Sequence, residues 1–376
     1  MKNRVIKTLF FLWNILFDFS YKRYMANASD FLIGANDEHG LNPPTLGKRT
    51  PIMPYINRSF YENEFNSFAK LDFILACLRC GFNVYDIKPE IQDVSISRRV
   101  VRTRRANVNL VVTFAYNASG SGVEFNSAQG LEVYYSPYNP FPTQSRELSE
   151  DVFNNIVKTT GVNGRFVGRL SVGMLSNVNC PSTLIEAGFM TNFSEAKLML
   201  NPFYIRNVAE GACKGVCEFL NVNYIDFNLA NYPTIRQGDR NNFVKIAQYI
   251  LNEYGYNLTV DGIFGGATLN AIKNFQLNNN LSTDGVIGRN TWNSLLNINP
   301  TSFVLKRGSK ASAVLFLQKL LLSYLYPITQ LDGIFGRETE NAVREFQSEN
   351  NLVSDGIIGA RTWQALVNGV GRPLPN

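Results

Sequence analysis

Histidine is almost absent from this chain. Its 376 residues include one, His39, which excludes any site built from two imidazoles of the same chain. Charge of one sign is also scarce outside the first residues. The formal net charge is +6, but residues 1–24 hold Lys2, Arg4, Lys7, Lys22 and Arg23 against Asp18. Removing those from the totals of 36 basic and 30 acidic residues leaves 31 and 29. A body without a basic excess carries no footprint for nucleic acid, and none is expected as a partner. Five cysteines are too few for a disulfide-dense miniprotein, while 28 Gly, 15 Pro and 45% hydrophobic residues exclude a collagen-like rod or a disordered tail. At roughly 100–200 residues per domain, the length suggests two or three domains with cores of their own.

The apolar stretch Thr8–Phe17, after Lys2–Lys7, falls short of the ~20 residues that cross a bilayer. With Ala26-Asn27-Ala28 as a small-residue cleavage pattern it reads as an export signal or anchor, interrupted by Asp18, Lys22 and Arg23. An amphipathic helix packed on the body, or a true start at Met25, fits equally. Residues 1–24 are therefore an N-terminal extension and a candidate membrane contact. Cys77 and Cys80 sit in an aliphatic run, and Cys213 and Cys217 are one helical turn apart. With no second CxxC beside them, they read as buried free thiols rather than a redox or metal motif.

The carboxy-terminal third repeats itself at an offset of 71 residues, from Asp261 to Asp332. Asp261-Gly262-Ile263-Phe264-Gly265 returns as Asp332-Gly333-Ile334-Phe335-Gly336, and Phe275-Gln276 as Phe346-Gln347. Asp284-Gly285-Val286-Ile287-Gly288 returns as Asp355-Gly356-Ile357-Ile358-Gly359, and Trp292 as Trp363. Asp-Gly pairs suit turns that leave the right-handed basins. Apolar residues at helical spacing (Val244, Ala247, Leu251; Ile272, Phe275; Val314, Leu317, Leu321) predict a small three-helix bundle in each copy, with Phe275 and Phe346 in its core. This doubled pattern resembles the peptidoglycan-binding domain of bacterial cell-wall hydrolases, over 235–298 and 304–369. The resemblance implies peptidoglycan as partner, with two copies raising avidity.

Between residues 30 and 225, strand-like runs alternate with helical patterns. Strands are expected at Phe31–Ala35, Asn83–Ile87, Leu110–Tyr116, Gly130–Tyr135 and Ser182–Glu186, and helices at Glu62–Arg79, Arg98–Asn107, Arg146–Lys158 and Tyr204–Phe219. Four segments resemble the zinc-dependent N-acetylmuramoyl-L-alanine amidases of type 3. They are His39-Gly40 with Thr45–Pro51, Tyr61–Asn66, the strand after Arg105-Ala106-Asn107, and Leu184–Asn192 with Glu186. The resemblance implies an α/β fold, a mixed sheet flanked by helices, over 25–222, joined by a linker at 223–234 to the two three-helix repeats.

It further implies His39 and Glu62 as metal ligands and Glu186 as the catalytic general base for metal-assisted amide hydrolysis. The third ligand is where the chain departs. The family's Ser-x-His-x-Asn strand reads Thr113-Phe114-Ala115-Tyr116-Asn117, which puts Ala115 in the imidazole's place. Alternation turns Phe114 and Tyr116 to the opposite face, and the neutral oxygens of Thr113 and Asn117 are poor zinc ligands. Cys180 is the soft donor nearest Glu186 in sequence. Three readings follow: a wall-binding protein with impaired or lost hydrolysis and no zinc or weakly held zinc; an active autolysin or lysin; and a structural component of a spore layer or phage particle. The expected location is the cell wall or extracellular space, or such a particle.

Overall fold

The computed structural model describes residues 25–40, 48–297, 303–369 and 371–375. The N-terminal extension 1–24 and Thr45-Leu46-Gly47 of the first loop motif lie outside them. Six strands form one sheet: β1 (Leu32–Asp37), β2 (Asn83–Asp86), β3 (Leu110–Asn117), β4 (Leu131–Tyr135), β5 (Gly164–Arg169) and β6 (Ser182–Phe189). Their order is β2-β1-β3-β6-β4-β5, parallel throughout except that β4 runs antiparallel to β6. This is the expected mixed sheet. The unanticipated strand is β5, whose Gly164-Arg165-Phe166-Val167-Gly168-Arg169 is half exposed and lacks a strong apolar run. As the sheet's edge it needs only one buried partner.

Alternation along the strands separates two faces. Val112, Phe114 and Tyr116 of β3 join the main core with Ile185 and Ala187 of β6. Over that face lie α1 (Glu62–Arg79), α3 (Pro142–Thr160) and α6 (Pro202–Leu220). The other face packs Val111 against Val100, Met174 and Val178, from α2 (Ile96–Ala106), α4 (Gly173–Ser176) and the segment after α4. Helix α6 starts at Pro202 because Asn201 accepts hydrogen bonds from the Phe203 and Tyr204 N–H groups, and Pro at the first turn wastes no donor. It presses closely on α3. A Cβ on Gly215 would sit 2.5 Å from Val152 Cα, and one on Gly211 2.7 Å from Ile156 Cα.

After a short helix α5 (Phe193–Leu198) and then α6, the chain builds two bundles. The first holds α7 (Asn242–Glu253), α8 (Gly266–Asn278) and α9 (Arg289–Leu296); the second holds α10 (Ser312–Ser323), α11 (Arg337–Glu349) and α12 (Ala360–Asn368). Three helices per copy is the predicted count. The Asp-Gly turns place Gly262, Gly285, Gly333 and Gly356 at φ between 71° and 75°, where a side chain would be strained.

A finer repeat underlies each bundle. Gln276 Nε2 donates to Asp284 Oδ1 (2.9 Å), the Val286 carbonyl (2.9 Å) and Thr291 Oγ1 (3.3 Å), while its Oε1 accepts from the Gly285 N–H (2.9 Å). The same bonds recur around Gln248, Gln318 and Gln347. Each buried amide ties a helix to the next Asp-Gly turn, so the 71-residue unit is itself two helix–turn cassettes. Trp292 and Trp363 are fully buried and donate to the Pro233 and Phe303 carbonyls, both at 2.7 Å. They lock the segment entering each bundle and offer no face to a sugar.

The bundles dock directly on the sheet domain. Asn242 Nδ2 donates to the Phe82 carbonyl (2.9 Å), Arg206 Nη2 to the Leu296 carbonyl (3.0 Å), and Phe203 meets Phe316 edge-on at 5.2 Å. Lys319 stands over the Phe68 ring at 3.6 Å, beside a cavity of about 260 Å³ that also holds Asp72 and Glu253. Burial lowers the Lys319 ammonium below the usual lysine range.

Candidate active site

The expected site residues gather at the ends of β1, β3 and β6. His39 follows β1 in a left-handed conformation (φ 59°). Its Nε2 lies 3.4 Å from Glu62 Oε2. Glu62 is placed by the start of α1, where the Tyr61 N–H donates to Glu64 Oε2 at 2.7 Å in a capping arrangement. Its other oxygen, Oε1, accepts from Asn66 Nδ2 and from the Tyr116 backbone N–H, both at 3.1 Å. Asn66 also donates to the Glu38 carbonyl at 2.9 Å, so α1 and the end of β1 hold each other.

Ala115 pairs with Glu186 in register across β3 and β6, and Glu186 with Glu132 across β4. These three residues share the face opposite the main core. Ala115 is buried in a small apolar cluster with Leu175 and Leu184. Tyr116 points the other way, its hydroxyl donating to the Glu195 carbonyl at 2.8 Å, as strand alternation predicts. Cys180 packs separately with Ile87, Val111 and Met174.

Glu186 Oε2 is buried with no hydrogen-bond partner. Burial, then the charges of Glu62, Glu38 and Glu132, hold its carboxyl well above the usual carboxylate range. Burial likewise pushes Glu62 up to about 7. His39 moves the other way, down to about 4, through burial and the Lys48 ammonium. The His39 imidazole is thus weakly basic, while both carboxyls titrate above the usual carboxylate range.

Glu132 belongs to this site and was not singled out from sequence. It accepts from Asn117 Nδ2 (2.8 Å) and the Tyr134 hydroxyl (2.6 Å), and pairs with Arg165 Nε at 2.8 Å. The available signal was a charged residue inside the apolar strand Leu131–Tyr135.

The donor set can be tested against a divalent zinc ion, which takes four ligands, three of them from the protein at an open site. One imidazole nitrogen and one carboxylate oxygen stand together. Among the described residues no third His, Cys, Asp or Glu donor atom joins them within 4.8 Å. Ala115 supplies only a methyl group. Among the described residues, this donor set does not make up a three-ligand centre.

An α/β sheet domain with a carboxylate–imidazole pair at its strand ends is thus fixed to tandem three-helix bundles, a modular chain whose class the family matches supply. Residues 57–218 match the family model described as N-acetylmuramoyl-L-alanine amidase, and residues 240–295 and 310–366 match "Putative peptidoglycan binding domain". The chain therefore carries an amidase domain of the type 3 family followed by two peptidoglycan-binding repeats. The amidase match begins beyond His39.

Relatives include the germination-specific N-acetylmuramoyl-L-alanine amidase of Bacillus subtilis, 28% identical over 124 residues, 33% of this chain and 50% of that protein. The endolysin of Bacillus phage SPP1 is 27% identical over 124 residues, 32% of this chain and 45% of that one. The chain thus spans half or less of the length of these curated relatives. The N-acetylmuramoyl-L-alanine amidase structure from Clostridium difficile 630 shares 26% identity, covering 52% of this chain and 98% of that one, with a TM-score of 0.43.

Proposed function

We propose that the chain binds peptidoglycan through its two repeats and retains the amidase fold with hydrolysis impaired or lost. The observation that supports this reading is the two-donor set, His39 and Glu62, among the described residues, with Ala115 where the family resemblance expects the third ligand. In this reading His39 and Glu62 are the surviving ligand positions and Glu186 the inherited catalytic carboxylate. The working units are 25–222, with a linker at 223–234, and the repeats at 235–298 and 304–369. Two ligands hold zinc weakly and leave any bound water without a fixed orientation. The site of action is the cell wall or the extracellular space.

The rival reading, an active amidase cleaving the muramic acid–L-alanine bond, draws on the retained His39–Glu62 pair and the unpartnered Glu186 oxygen. The names of the relatives, a phage endolysin and a germination amidase, keep a lytic or spore role in view. The deciding experiment measures zinc whose retention depends on His39, together with stem-peptide release from purified murein. The natural chain, His39→Ala and Ala115→His are compared. The natural chain is expected to release no peptide and to lose no zinc when His39 is replaced, and Ala115→His is expected to gain His39-dependent zinc. Stoichiometric His39-dependent zinc with peptide release by the natural chain overturns the proposal.

A further inference from the structure

Two cysteine pairs that lie far apart in sequence converge where α1 meets α6. Cys77 and Cys80 come from the end of α1, and Cys213 and Cys217 from successive turns of α6. All four are buried and unbridged. The Sγ atoms of Cys80, Cys213 and Cys217 lie within 4.8 Å of one another. Cys213 is the hub, with its Sγ 3.9 Å from both Cys80 Sγ and Cys77 Sγ. A tetrahedral ion with metal–sulfur bonds of about 2.3 Å needs sulfurs about 3.8 Å apart, close to the spacing already present.

The surroundings add a second observation. The Ile225 backbone N–H points at Cys80 Sγ from 3.3 Å, a donor suited to a thiolate rather than to an apolar thiol. The buried guanidinium of Arg79 holds the Ile225 carbonyl at 2.9 Å and also pairs with Glu210, which fixes this strand of chain beside the sulfurs.

We propose that Cys80, Cys213 and Cys217 form a structural site for a thiophilic cation of the zinc class, with Cys77, whose Sγ lies 3.9 Å from Cys213 Sγ but outside that triad, as the donor that would turn in to close it. Thiolates favour such soft or borderline ions over magnesium or calcium, and a turn of Cys77 toward the triad would fill the fourth position in place of water. Each thiol that ligates gives its proton to solvent as its metal–sulfur bond forms, with no change of oxidation state. The ion would clamp α1, α6 and the segment through Ile225 that leads to the first repeat. It is independent of the His39–Glu62 pair, which contributes no sulfur.

The test is cobalt substitution of the full chain, refolded with Co²⁺ under reducing conditions. Sulfur-to-cobalt charge-transfer absorption is read by ultraviolet spectroscopy and stoichiometry by native mass spectrometry. One equivalent with the sulfur band is expected in the natural chain, in Cys180→Ser and in His39→Ala, and its loss in Cys213→Ser. Should Cys213→Ser fail to fold, the natural chain decides alone. A folded natural chain without the sulfur band overturns the site. So does a Cys80–Cys213 disulfide as the stable form of a protein purified with metal present.

Discussion

Replacing Gln347 by leucine tests whether the buried amides hold the repeats together. Gln347 is 1% exposed, so leucine fills nearly the same space and removes only the polar links. Three acceptors lose their donor: Asp355 Oδ1 at 2.9 Å, the Ile357 carbonyl at 2.9 Å and Thr362 Oγ1 at 3.2 Å. Asp355 still accepts from the Ile357 N–H, and the Thr362 hydroxyl still reaches the Ile357 carbonyl. The Gly356 N–H, buried in the turn, keeps no acceptor. An orphaned buried donor costs about 1–3 kcal/mol and each net hydrogen bond about 1 kcal/mol, so with water reaching the outer groups the loss is about 2–4 kcal/mol. Hydrogen exchange of the full chain should show protection falling by that free energy across 305–369. Gln364→Leu, an exposed glutamine on α12, should change it by less than about 0.5 kcal/mol. If the two variants exchange alike, the amide network contributes nothing and the reasoning fails.

Two further perturbations follow from the same geometry. The Ile357 N–H and then the Gln347 amide hold the Asp355 carboxyl below the usual aspartate range. A depressed folded pKa adds stability above the unfolded value of about 3.9 that disappears as pH falls through the folded value. Urea midpoints of the natural chain and Asp355→Asn should therefore differ above about pH 4 and converge below it; a gap that persists in acid counts against the carboxylate's role. Gly215→Ala would push a methyl group into Val152 of α3, and a loss of about 1–3 kcal/mol in thermal or urea unfolding is expected. Unchanged stability would mean that the two helices slide apart without cost.

The repeats were the most legible part of the sequence, because their Asp-Gly turns and tryptophans recur at a fixed interval. What escaped was the half-unit. Phe275-Gln276 and Phe346-Gln347 were visible as motifs, but Gln248 and Gln318 follow alanine and leucine instead, and only three-dimensional bonding equates them. In the sheet domain, apolar alternation located five strands and missed β5, since an edge strand needs no continuous apolar run. Helix starts were set a few residues late at α2 and α3, where Ser95 and Phe141-Pro142 mark the true beginnings. The face of Ala115 was readable from period-two alternation. Glu132 and the meeting of the four cysteines were not, because each depends on partners brought together from distant segments.

The docking of the bundles has a mechanical outcome. Asn279 Oδ1 accepts from Ser312 N and Oγ, joining the two bundles as firmly as Asn242 and Arg206 join the first to the sheet domain. If both repeats take up peptidoglycan as proposed, units held by these bonds would act as a caliper rather than as beads on a string. Polymer whose spacing matches the fixed jaws would gain from simultaneous engagement, whereas polymer of another pitch would be gripped by one jaw alone.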